Sequence, residues 1–157
     1  MAQIDAMRAL LIAAVAFNGV LSGASLDQSI KQLPARRRIG VIAFSVYSRA
    51  ADLGNGIVWY AIIGIGAALL TIVAAVGAYR QAAPGSVAIP LYVAALTSLL
   101  HSFTTTQAAP TFFRQRQVKD DAAQLTVIFD SFERWQTLRA ALQVATFGLT
   151  LWAFAAS

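Results

Sequence analysis

Cysteine is absent from this chain, and histidine and glutamate occur once each. The first absence excludes disulfides, thiolate metal sites and a cysteine nucleophile, while saying nothing of redox compartment. With His101 alone, and both methionines near the start of the chain, the usual multi-ligand metal constellations cannot be assembled. Glu133 as sole glutamate rules out the carboxylate set of a di-iron bundle. A haem on His101 would lack a second strong ligand, so the sequence implies no cofactor. Glycine-rich nucleotide-binding motifs and a GxSxG elbow are missing too. Charge is the last scarcity: 12% of 157 residues are charged and 58% hydrophobic, with a mean hydropathy of +0.64. A soluble domain carries roughly a quarter charged residues. Too little polar surface remains to cover a water-soluble globule, so the expectation is one integral membrane domain over residues 1–157. The net charge of +5 and pI near 10.2 then point to an anionic leaflet rather than to nucleic acid.

What is present is four apolar runs. A span needs about 20 mainly apolar residues. "IVWYAIIGIGAALLTIVAAVGAY" (57–79) carries no charge at all, and "VAIPLYVAALTSLLHSFTTTQAA" (87–109) follows after a short turn marked by Pro84-Gly85. "LRAALQVATFGLTLWAFAA" supplies a span at 138–156 and "AMRALLIAAVAFNGVLSGASL" one at 6–26. The latter is read as a retained span rather than a cleaved signal, because a basic leading region is missing and Asn18 interrupts the apolar run. Two longer connections carry helical periodicity. After Pro34, Ile39, Ile42, Val46, Ala50 and Leu53 form one stripe; Ala122, Leu125, Phe129, Phe132 and Trp135 form another. Each is expected as an amphipathic cytoplasmic-side helix, lying on the interface or prolonging the bundle. The fold class is thus an all-α membrane four-helix bundle with two such helices. Ten basic residues fall on the side of the long connections and two, Arg8 and Arg80, on the other. That bias places the connections in the cytoplasm and both termini outside the plasma (inner) membrane.

Polar side chains gather in the cytoplasmic halves of these spans. His101 lies roughly 21 Å from the outer end of its span at 1.5 Å per residue, and Asn18 is at similar depth. Asn55 opens the second span, while Arg139 and Gln143 begin the fourth. Ser98, His101 and Thr105 share one helical stripe, as do Asn18, Ser22 and Ser25. A polar group facing lipid would cost several kcal/mol, so both stripes should face the bundle interior. An intramembrane imidazole can give or take a proton near pH 7 and is a functional candidate. The hydroxyls, in contrast, commonly bond their own helix. "GVLSG" offers Gly19 and Gly23 for close helix packing within the subunit. A homo-oligomer stays open, and transport with four spans would require one.

Three stretches, "FERWQTLRAALQVATFGLTLWAF" (132–154), "FTTTQAAPTFFRQ" (103–115) and "SRAADLGNG" (48–56), resemble the anthrone oxygenase-like family of small four-span membrane proteins. Glu133, Arg134, Trp135 and Arg139 match its acidic-basic-tryptophan-arginine pattern and Pro110 its proline; Thr111-Phe112 stand where an asparagine often follows. The resemblance implies a membrane four-helix bundle and, in the few members with a named activity, oxidation of an anthrone to an anthraquinone by O2 without metal or flavin. On that reading His101 is the base, Asn18, Asn55 and Arg139 hold oxyanions, and Trp135 or Trp59 stacks on a flat lipophilic substrate. The competing reading is a non-catalytic accessory or scaffold whose polar layer only orders helix packing.

Overall fold

The computed structural model of the protein describes residues 2–118 and 120–157, with side chains from residue 6 onward. Lys119, one of the basic residues counted above, lies outside them. Every regular element among the described residues is helical. α1 (Ala2–Asp27) passes through a π-helical turn, Gln28–Gln32, into α2 (Leu33–Ile39). Pro34 sits in the first turn of α2, where its missing N–H costs little. Gly40 then reverses the helical course at φ 87°, a backbone state that a β-carbon disfavours. α3 (Val41–Ala50) joins α4 (Gly56–Arg80) through a second π-helical turn, Ala51–Asn55, kinked at Gly54. α5 (Gly85–Phe113) follows the expected tight turn, in which Pro84 caps the new helix. After one 3-10 turn, Asp121 caps α6 (Ala122–Ala155) by accepting from the Gln124 backbone N–H at 3.0 Å. That bond holds its carboxyl below the usual carboxylate range.

Four helical stretches, one per expected span, are long and apolar enough to cross a membrane. α4 alone runs about 38 Å at 1.5 Å per residue, against roughly 30 Å of hydrocarbon. Only 28 to 44% of each apolar window is buried within the protein. The remaining apolar surface, including Ile62, Ile65, Leu69, Val73 and Val76 along α4, faces outward.

The four long helices form a ring in which α1 packs on α4 and α6, and α5 packs on the same two. The least extensive of these seams is α4–α5, although a tight turn connects them. Two apolar cores sit at opposite ends. Near the α4–α5 turn, Leu11, Ala74, Ala78, Val87, Ala88, Leu91 and Ala153 interlock, small residues letting the helices approach closely. At the other end Leu33, Phe44, Phe112, Leu125, Phe129 and Phe132 form a bulkier cluster, with Phe112 and Phe132 rings 4.2 Å apart. The same end carries both long connections. Arg36, buried, donates to Asp130 at 2.6 Å and to Glu133 at 2.7 Å, tying α2 to α6; Arg116 donates to the Leu53 carbonyl at 2.7 Å.

The connections differ from expectation in two ways. On α3 the expected stripe is turned outward: Ile39, Ile42 and Val46 are exposed and of the five only Leu53 is buried. The inward side carries Phe44, against Phe129, and Ser45 and Ser48, which bond the buried Gln115 amide at 3.3 Å. Polar partners across the gap thus outcompete a longer apolar stripe. In the second connection Leu125, Phe129 and Phe132 are buried as the periodicity requires, but they belong to the opening turns of α6, which is one 34-residue helix.

Close approach of α1 and α4 depends on Gly66, where a β-carbon would stand 2.5 Å from the Phe17 ring. Gly19 likewise meets Phe147 of α6, so this glycine packs within the chain, whereas Gly23 faces open space. Gly66→Ala should destabilise the bundle by about 1–3 kcal/mol through overpacking. Gly148→Ala, with open space at its β-carbon, should be neutral or slightly stabilising, as judged by unfolding in mixed micelles.

Candidate functional site

Polar side chains do turn inward, but on two tiers rather than one. On the tier nearer the α4–α5 turn, Asn18 of α1 donates to Thr71 of α4 and to the Ala14 carbonyl, both at 2.8 Å. Gln143 of α6 donates to Asn18 Oδ1 at 2.9 Å. Thr97 and Thr146 share a further hydrogen bond at 2.8 Å between α5 and α6. Every residue of this tier except Thr97 is buried, and the amide of Asn18 is fully employed. This is a polar clamp across three helices.

The second tier, about one turn further along, is open. His101 on α5 and Arg139 on α6 line a cavity of about 490 Å³ to which all four long helices contribute. α1 brings Leu21 and Ser25, α4 brings Tyr60, Ala61 and Gly64, and Asp52 and Gln28 come from the two π-helical turns. Phe112 and Phe132 form the aromatic floor. The room exists for a local reason: on α4 the inward face is built of Ala61, Gly64 and Ala68, which are too small to fill the space between helices.

His101 is 6% exposed, and its Nε2 has no hydrogen-bond partner. Its backbone carbonyl accepts from Thr104 at 2.8 Å and Thr105 at 2.9 Å, so those hydroxyls serve the helix rather than the ring. Arg139 donates through Nη1 to Gln136 Oε1 at 2.9 Å, and Gln136 in turn donates to the Ser25 carbonyl at 3.2 Å. The guanidinium is therefore aimed by a buried amide bridging α6 and α1, while its Nε is buried and unpaired. No carboxylate within 4.0 Å pairs with Arg139 among the described residues. Asp52, on the same cavity wall, accepts instead from Ser48 at 2.9 Å.

Of the six residues singled out in the sequence, the structure brings His101 and Arg139 together. Asn18 belongs to the closed tier, because Thr71 and Gln143 saturate it. Asn55 is exposed in the turn before α4, and Trp59 is exposed, its ring edge-on to Tyr60 at 4.9 Å. Trp135 packs against the phenylalanine cluster and does not line the cavity. The cavity's aromatic walls are Tyr60, Phe112, Phe113 and Phe132. Tyr60, Gln28 and Asp52 were not selected; the signal for Tyr60 was the i, i+4 series Tyr60, Gly64, Ala68 beside a bulkier outward Trp59. Among the described residues no group of three or more histidine, aspartate or glutamate side chains could hold a metal ion.

Comparison with family models, curated proteins and solved structures found no match to this chain.

The two tiers should respond oppositely to substitution. Asn18→Leu strands the Gln143 amide in an apolar interior and should cost about 1–3 kcal/mol. His101→Leu removes a polar group that has no partner and should change stability by less than about 1 kcal/mol. Unfolding in mixed micelles measures both.

Proposed function

We propose that this chain is an integral membrane protein that binds a flat, lipophilic aromatic molecule in the His101–Arg139 cavity and oxidises it with O2 without metal or flavin. The bundle is oriented by its basic residues, with both long connections in the cytoplasm and both termini outside the plasma (inner) membrane. On this placement the cavity opens in the cytoplasmic half of the bilayer. α2, α3 and the start of α6 lie on the cytoplasmic side, with Ile39, Ile42 and Val46 presented to the membrane interface.

One observation carries the reading: His101 and Arg139, each with a buried nitrogen that lacks a partner (Nε2 and Nε), both line a cavity large enough for a small molecule. Unpaired polar atoms at hydrocarbon depth are costly and are retained where a ligand supplies the missing bond. The family resemblance supplies the chemistry. His101 takes a proton from an acidic ring CH2, and Arg139 stabilises the resulting enolate oxygen. The electron-rich carbon reacts with O2 to give a peroxide. Loss of the second C–H proton with cleavage of the O–O bond then yields the ketone and water. One substrate and one O2 give one quinone and one H2O, so no external reductant is consumed.

The test is O2 uptake and quinone formation with anthrone as probe, using purified protein in mild detergent near neutral pH. The parent protein should turn over above the empty-micelle background. His101→Leu should lower the rate about 10²-fold or more with its unfolding transition retained. Equal rates in parent, variant and empty micelles would leave a bundle whose polar residues only order packing.

A further inference from the structure

Resting on that reading of the cavity, we infer that its ligand is an ionised, singly charged amphiphile that enters sideways from the bilayer between α4 and α5 and docks with its oxyanion on Arg139. The charge follows from bookkeeping inside the site. Arg139 carries a permanent positive charge on the cavity wall with no carboxylate within 4.0 Å among the described residues, and only a neutral amide on Nη1. Arg36, which is buried, has Asp130 and Glu133. Asp52 lines the same cavity but accepts from Ser48 and makes no ion pair with Arg139. A guanidinium without a carboxylate in contact is unfavourable at this depth, and an anionic oxygen placed on it gains a charge-assisted hydrogen bond in a medium of low dielectric. His101 Nε2 offers a second polar contact to the same oxygen acid.

The rest of the lining sets the shape of that anion. Leu21, Ile57, Ala61, Ile65, Phe112 and Phe132 leave no second cation for a multiply charged group, so the remainder of the ligand is apolar. The route follows from exposure. Ile65 and Leu69 line the cavity yet are 62% and 58% exposed on the outer face of α4, and Ser102, across the seam on α5, is also exposed. The cavity therefore opens through the least extensive seam of the ring, among the outward apolar side chains of α4. A lipophile dissolved in the acyl region meets this opening directly, and its charged end is drawn to Arg139.

The experiment uses full-length protein in zwitterionic nanodiscs and two probes of the same shape, anthracene-9-carboxylate and 9-anthracenemethanol, followed by anthracene fluorescence against empty discs. The carboxylate should bind at least about tenfold tighter than the alcohol, the weight of one charge-assisted hydrogen bond. Arg139→Gln should erase that preference while alcohol binding persists. In Ile65→Trp, which narrows the seam, association and dissociation of the carboxylate should both slow. Equal affinity of acid and alcohol in the parent protein overturns the charge assignment without recourse to any variant. Unaltered rates in Ile65→Trp overturn the lateral route. These outcomes are separable from turnover: bound carboxylate without quinone formation would remove the oxidation and keep the anion site, whereas failure of both probes to bind removes both.

Discussion

Hydrocarbon offers no hydrogen-bond partners, so polar groups carried into it must be satisfied by the protein itself or by something the protein holds. In this bundle the rule is met on one tier and left unmet on the next. Asn18, Thr71 and Gln143 close a circuit across α1, α4 and α6. About one turn away, Gln136 accepts from one nitrogen of Arg139, and then partners run out: Arg139 Nε and His101 Nε2 are buried without a hydrogen bond. The clamp and the vacancy are coupled, since a firm circuit directly beside the cavity lets the four helices stay apart there without collapse.

Side-chain volume explains why the helices separate at that level. Towards the α4–α5 turn the facing residues are mostly alanines, and Gly66 admits Phe17, so the rods lie close. At the opposite end Phe44, Phe112, Phe129 and Phe132 wedge the connections against α6. Between a tight end and a wedged end, the small residues Ala61, Gly64 and Ala68 cannot fill the gap, and the cavity is what remains. The arginine-rich run contributes to the wedge, since its Arg36 is buried and paired with two carboxylates of α6.

The all-helical class, the four long apolar helices and the inward turn of the polar stripes were legible because hydropathy and 3.6-residue periodicity act locally. His101 and Arg139 stood out because ionisable groups are rare in apolar runs. What could not be read was pairing. Nothing near Asn18 in the chain announces that Thr71 and Gln143 would saturate it, so a structural amide looked like a ligand contact. Trp59 and Tyr60 are neighbours in sequence, but adjacent helical residues point about 100° apart and only Tyr60 meets the cavity. On α3 the longer apolar stripe lost to Ser45 and Ser48, whose partner Gln115 lies some seventy residues away.

The contrast between a closed and an open tier can be measured directly, because a chain without cysteine gives no background to thiol labelling. Ser25 and Ser98 are both 3% exposed, yet Ser25 lines the cavity and Ser98 does not. Neither hydroxyl makes a cross-helix hydrogen bond to a described residue, so Ser25→Cys and Ser98→Cys are mild, near-isosteric changes. With N-ethylmaleimide on the folded protein in nanodiscs, the thiol at position 25 should react at least about tenfold faster than the one at position 98, as access governs thiol reactivity. Indistinguishable rates would mean that the interior is filled at both levels and that the cavity holding His101 and Arg139 does not exist.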